Sequence, residues 1–165
     1  ALDLGTGSGA IALAIAQERC DVDIHACDIS AECLAVAEVN SRALGLPISL
    51  RLSDWFERID QRFHVIVANP PYIDSADPHL SQLQAEPRAA LVAQNHGLAD
   101  LQAIIERAPA HLHRDGWLLL EHGYDQGMAT RELLTNRGFE QVGTRRDLGG
   151  NERVSWGQLP VHEAD

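Results

Sequence analysis

Within its first twenty residues the chain passes from an apolar segment, Ala1-Leu2-Asp3-Leu4, through Gly5-Thr6-Gly7-Ser8-Gly9 and into Ala10 to Arg19, which is apolar almost all round. An apolar strand, a glycine turn and a buried helix in that order form an architecture that brings backbone N–H groups and a helix N-terminus up to a ligand. The first strand has only about four residues, short of the usual five or six. The chain thus starts abruptly, and the expectation is a fragment that lacks an N-terminal part.

The pattern then repeats. Val22 to Cys27 reads as a second strand ending at Asp28, nearly twenty residues past the glycines. At that offset a carboxylate takes ribose hydroxyls. A turn or helix-capping Asp is the alternative, although Ser30 is the better N-cap for the next helix. That helix, Ala31 to Leu44, is read with Cys33, Val36, Ala37, Asn40 and Leu44 on one face and stops at Gly45. Ile48 to Leu52 gives a third strand, with Ser53-Asp54-Trp55-Phe56 at its carboxyl end. Asp54 is placed to accept from an exocyclic amine and Trp55 to pack against a purine; a loop acid beside a core aromatic is the alternative.

Phe63-His64-Val65-Ile66-Val67-Ala68 is short, β-branched and closed by prolines, as expected of a buried strand. Asn69-Pro70-Pro71-Tyr72 therefore stands at a carboxyl end, where open α/β sheets bind ligands. Asn69 brings an amide, Pro70 a free carbonyl and no N–H, and Tyr72 a face for stacking. Acceptors beside a stacking ring suit a planar group that carries an NH₂.

A long polar loop, Ile73 to Arg88, follows and is the expected cover of the site. Leu98 to Leu112 reads as a helix that Pro109 is expected to kink or shorten. Trp117 to Glu121 reads as a strand after the turn Arg114-Asp115-Gly116, and Tyr124 to Asn136 as a helix. Phe139 to Thr144 and Arg153 to Gln158 are joined by Leu148-Gly149-Gly150-Asn151 and should pair as an antiparallel hairpin. One domain, 1–160, with a frayed tail at 161–165 accommodates all of this.

Composition excludes several classes. A net charge of −11 over 165 residues argues against a surface that tracks nucleic-acid phosphates unaided. No apolar run reaches membrane-spanning length, so no membrane is expected. Cys20, Cys27 and Cys33 show no CxxC spacing and read as reduced thiols of a cytoplasmic protein. His111 and His113 face different sides of a helix, and no metal site is expected.

The alternation of strands and helices, with Asp3 to Gly9 and Asn69 to Tyr72, resembles the class I S-adenosylmethionine-dependent methyltransferases. The fold implied is Rossmann-like, a seven-stranded, mostly parallel sheet with a C-terminal antiparallel hairpin. Nicotinamide dehydrogenases use a similar glycine turn but lack the second motif. Ser53 to Phe56, Asn69 to Ile73, Asp77-Pro78-His79-Leu80, Glu86-Pro87, Glu121-His122-Gly123 and Asn151-Glu152-Arg153-Val154 together resemble the HemK/PrmC family of peptide chain release factor N(5)-glutamine methyltransferases. That resemblance implies S-adenosylmethionine held by Gly5, Thr6, Gly7, Ser8, Gly9, Asp28, Asp54, Trp55 and Asn69. It implies a catalytic role for Asn69, Pro70 and Tyr72, and a glutamine side chain held by Asn69, Pro70, Pro71 and Tyr72. The expected partner is a release factor carrying a Gly-Gly-Gln loop, with no direct nucleic-acid contact, and the expected state is a monomer. The family's N-terminal helical domain is not in the sequence, and Ser81-Gln82-Leu83-Gln84-Ala85 before Glu86 is shorter than usual. N-methylation of an exocyclic amine of adenine or guanine in DNA or RNA is the competing reaction, and a non-catalytic binding module the competing class.

Overall fold

A computed structural model of the chain describes residues 1–71, 73–74, 92–93 and 98–161. In order, the elements are β1 (Leu2–Leu4), α1 (Ala10–Glu18), β2 (His25–Asp28), α2 (Ala31–Leu44), β3 (Ser49–Leu52) and β4 (Phe63–Ala68). They continue with β5 (Ile73–Asp74), β6 (Val92–Ala93), α3 (Ala99–His111), β7 (Leu112–Glu121), α4 (Gly127–Asn136), β8 (Glu140–Arg146) and β9 (Glu152–Gln158). Seven strands form one sheet in the order β3-β2-β1-β4-β7-β9-β8. β3 through β7 in that order are parallel, and β9 is antiparallel to both β7 and β8. This is the sheet the sequence predicted.

Two cores flank the sheet. Neighbouring residues of a strand point to opposite faces, and Ala26 and Cys27 of β2 enter separate clusters. Cys27 joins Leu2, Leu4, Ile66 and Leu120 under Leu101, Ile104 and Ile105 of α3 and Leu134 of α4. Ala26 packs with Ala12 and Ala16 of α1. Helices therefore cover both faces, as the buried, near-continuous apolar strands require.

Several boundaries differ from the sequence reading. β2 begins at His25 because Val22 N–H closes a turn onto the Arg19 carbonyl. The helix expected from Tyr124 begins at Gly127. β7 begins at Leu112, five residues before the expected strand, because Leu112 pairs with Phe63 ahead of a bulge. The turn residues Arg114 to Gly116 form that bulge: Asp115 has φ 67, and a Cβ at Gly116 would lie 2.7 Å from the His113 carbonyl oxygen. In α2, Ser30 and Gly45 cap the helix as expected, but its covered stripe runs through Cys33, Leu34, Ala37, Asn40 and Ser41, while Val36 and Leu44 are exposed. Ile73 and Asp74, expected in the cover loop, pair in parallel with Val92 and Ala93. The remainder of that loop, with Asp77, Pro78, His79, Glu86, Pro87 and Arg88, lies outside the described residues, as do residues 162–165 of the tail.

Candidate active site

The sheet reverses its winding between β1 and β4, and at such a switch point the carboxyl ends of two adjacent strands open a crevice. Leu4 is in register with Ala68. The residues that leave the sheet next to each other are thus Gly5, which opens the glycine turn, and Asn69. Asn69 is exposed, Pro70 buried and Pro71 half-buried. Tyr72 lies outside the described residues.

The turn is shaped by glycine. Gly5, Gly7 and Gly9 have φ of 68, 57 and 84, a region that side chains with a Cβ rarely enter. Gly9 is packed on α2, since a Cβ there would lie 3.2 Å from that of Ala37. At Gly7 a Cβ would meet nothing within 4 Å, so this backbone faces open space. Thr6 N–H donates to the Cys27 carbonyl at 2.9 Å, and the Asn40 side chain donates to the Ser8 carbonyl at 2.9 Å.

Two carboxylates flank the turn. Asp28 accepts from Gly7 N–H and from Ser30 N–H, each at 2.8 Å. It therefore acts as a turn residue, the alternative reading, while each oxygen keeps a lone pair for a further donor. Asp3 is 2% exposed. Its Oδ2 accepts from the Thr6 hydroxyl at 2.6 Å and from Ala12 N–H at 3.2 Å, so it caps α1, whose N-cap Gly9 has no side chain. Its Oδ1 is buried without a hydrogen-bond partner. Burial pushes this carboxyl up to about 6, against the Thr6 and Ala12 bonds and with the Asp28 charge adding to the rise.

Trp55 closes the opposite side. Its ring lies against Gly5, where an added Cβ would be 3.2 Å from Cζ3, and its backbone holds φ 42. The Ser53 hydroxyl and the Cys27 thiol both donate to the Trp55 carbonyl, which fixes the turn after β3. Trp55 also packs on the main core, as the alternative reading of a core aromatic has it. Asp54 is exposed beside it. Burial raises the Asp100 carboxyl above its ordinary value, against a hydrogen bond from the Trp55 side chain and with the Asp54 charge adding to the rise.

The structure thus brings Gly5 to Gly9, Asp28, Asp54, Trp55 and Asn69 to one edge. Asp3, Asn40 and Asp100 join them without having been singled out for the site. A lone acid inside the apolar run Ala1 to Leu4 was the available signal for Asp3; nothing local marks Asp100. Among the described residues no group of His, Cys, Asp and Glu could hold a metal ion, and no helix is long and apolar enough to cross a membrane.

Residues 1–93, more than half of the chain, match the family model of the methyltransferase small domain. The chain belongs to that family. This methyltransferase small domain is 55% identical over 161 residues to a release factor glutamine methyltransferase of Pseudomonas aeruginosa, covering 95% of the chain and 58% of the relative. It is 48% identical over 161 residues to the release factor glutamine methyltransferase of Escherichia coli K12, with the same coverage. The chain therefore spans about 58% of the length of these curated relatives. Among solved structures, a methyltransferase from Pyrococcus furiosus superposes with a TM-score of 0.73 at 17% identity, covering 96% of this chain and 74% of that one. Magnesium protoporphyrin IX methyltransferase from Synechocystis, solved with bound SAM, superposes with a TM-score of 0.65 at 14% identity, covering 96% and 68%. At these identities the superpositions establish a shared methyltransferase fold.

Proposed function

We propose that the chain is the catalytic part of a release factor glutamine methyltransferase, which moves a methyl group from S-adenosylmethionine to the side-chain amide nitrogen of the glutamine in a Gly-Gly-Gln loop. The observation that carries this reading is the register of Leu4 with Ala68. It sets the glycine turn, a nucleoside-binding device, beside Asn69 and Pro70, a pair of acceptors suited to an NH₂ group. The relatives at 48–55% identity, both release factor glutamine methyltransferases, point the same way.

The residues at the edge fit the cofactor. Gly7 offers open backbone, Asp28 has lone pairs for ribose hydroxyls, and the orphaned Asp3 Oδ1 is an acceptor that an ammonium or other N–H donor would satisfy. Two carboxylates flanking the turn favour such donors over a phosphate. When bound, S-adenosylmethionine supplies a methyl on a sulfonium, strongly electrophilic without further activation.

The protein's task is then the nucleophile. An amide nitrogen is a poor one because its lone pair is delocalised into the carbonyl. The Asn69 side-chain oxygen and the Pro70 carbonyl accept its two N–H bonds, which directs the lone pair and favours a tetrahedral nitrogen. The Asn69 oxygen gains from the charge that develops on that nitrogen, so its contribution is largest in the transition state. A new C–N bond forms as the C–S bond breaks, and the amide loses one proton to solvent after transfer. No strong general base is required. Tyr72 is assigned the stacking of the amide plane, and Pro71 stiffens the turn that aims it. The test is methylation of a release factor in which that glutamine is kept or replaced by Glu, which has no NH₂: label in the first and none in the second is expected, and label in both refutes the assignment.

A further inference from the structure

Two parts of the molecule, Glu121-His122-Gly123 and the start of β9, play no role in the chemistry above, yet one continuous set of hydrogen bonds joins them. We propose that His122 is a positioning residue of the substrate edge, held as the neutral imidazole with its proton on Nδ1 by a one-way chain of hydrogen bonds running from Arg131 to the Gly123 carbonyl. This assignment rests on the methyltransferase reading of the neighbouring Asn69 site.

The direction of every bond follows from its two ends. Arg131 Nη1 lies 2.7 Å from Thr144 Oγ1 and can only donate. The Gly123 carbonyl lies 2.8 Å from His122 Nδ1 and can only accept, so Nδ1 carries the proton. In a neutral ring Nε2 is then an acceptor, and the Ser155 hydroxyl, at 2.8 Å, donates to it. Ser155 Oγ in turn accepts from the Thr144 hydroxyl at 2.7 Å, and Thr144 Oγ1 accepts from Arg131. Each hydroxyl donates once and accepts once, with no hydrogen left over. Adding a proton at Nε2 makes Ser155 Oγ an acceptor there and leaves one hydroxyl hydrogen, that of Ser155 or that of Thr144, without a place in the chain. His122 is fully buried, and that burial holds its imidazole below the ordinary value against the pull of the Gly123 carbonyl bond and the Glu152 charge, with Arg131 and Arg153 adding to the lowering.

Arg131 is itself fixed, by Glu152 Oε2 at 2.9 Å, and Arg146 flanks Glu152 at 3.6 Å. His122 N–H donates to the Arg153 carbonyl and Gly123 N–H to Gln126 Oε1. The residues from 121 to 123 are thereby fixed on both sides. Their place matters because Leu120 is in register with Ala68, so Glu121, the last residue of β7 and still paired with Val154 of β9, stands level with Asn69, and His122 is the first residue past that edge. The chain from Arg131 holds the wall next to Asn69 and Pro70, on the side away from the glycine turn.

The test uses the full-length enzyme. Long-range ¹H–¹⁵N spectra with labelled histidine should show His122 as the Nδ1–H tautomer from pH 6 to 8; an Nε2–H ring or an imidazolium in that range overturns the proposal without touching the methyltransferase reading. Thr144→Val then cuts the chain with little change of shape. Methylation of the release factor, as kcat/KM, should fall about tenfold, a factor equivalent to ~1.4 kcal/mol, while S-adenosylhomocysteine affinity is unchanged and the exchange of the His122 and Gly123 amides speeds up. A folded Thr144→Val enzyme with full kcat/KM, or one that loses cofactor affinity in parallel, overturns the positioning role. If the unmodified enzyme transfers no methyl to release factors, the functional reading fails, and the tautomer and exchange measurements still decide the hydrogen-bond chain.

Discussion

Asp3→Asn should change how stability depends on pH, by an amount that follows from the geometry. The Asp3 carboxyl is 2% exposed and is raised by burial from 3.8 to about 6 in the folded chain. Its folded pKa lies above the unfolded one, so between about pH 4 and pH 6 the native state binds more protons than the unfolded state. Stability therefore falls as pH rises through that window and is level above it. Two pKa units correspond to ~3 kcal/mol. Asn keeps an oxygen for Thr6 and Ala12 but carries no charge, so this slope disappears. Placing an NH₂ at the orphaned Oδ1 position carries its own cost of about 1–3 kcal/mol, but that cost is independent of pH and cancels in the comparison. Urea unfolding followed by tryptophan fluorescence at pH 4 and at pH 7.5 gives the difference between variant and parent at each pH. That difference should shift by about 2–3 kcal/mol in favour of the variant on going to pH 7.5. Parallel stability curves for the two proteins would refute the claim that Asp3 is ionised at a cost in the folded state.

The remaining expectations concern binding and turnover. Asp28→Ala removes the carboxylate assigned to the ribose hydroxyls along with the acceptor of Gly7 and Ser30 N–H; losing a charged partner of the cofactor costs about 1.5–3 kcal/mol, so S-adenosylhomocysteine affinity by calorimetry should drop at least tenfold. Asn69→Ala should abolish methyl transfer in a labelling assay while cofactor affinity stays within about twofold, since the lost oxygen orients the nucleophile. Asn40→Ala releases the Ser8 carbonyl from α2 and should lower cofactor affinity about threefold to tenfold, the range of a single net hydrogen bond, with little change in kcat.

The elements easiest to read were those whose limits are chemical. β4 runs from Phe63 to Ala68 because Asn69-Pro70-Pro71 removes two donors in a row, and α2 runs from Ala31 to Leu44 between the Ser30 cap and Gly45. The glycine turn was legible for the same reason, since its left-handed backbone requires glycine, whereas the bonds of Asp28 to Gly7 and Ser30 N–H follow the alternative reading of that residue. What was missed depends on contacts across the chain. The Arg114-Asp115-Gly116 sequence reads as a turn between a helix and a strand, and only the pairing of Leu112 with Phe63 makes it a bulge. Asp100 has meaning only once α3 brings it to Trp55. His122, Arg131, Thr144 and Ser155 come from four elements or their margins, and no local pattern announces that they touch. Val36 and Leu44 were placed on the covered face of α2, but the burial stripe is rotated about one residue and passes through Leu34 and Ser41 instead.

The central claim is that this edge methylates the amide of a glutamine in a protein. Its most direct test is to incubate the full-length enzyme with S-adenosylmethionine labelled in the methyl group, together with release factor, tRNA, ribosomal RNA and DNA in one reaction. The labelled species are then separated, and the modified residue is located by mass spectrometry. The account predicts label on the release factor alone, at the glutamine of its Gly-Gly-Gln loop, and none after Asn69→Ala. Label on adenine or guanine in nucleic acid, with the release factor unmodified, would contradict it.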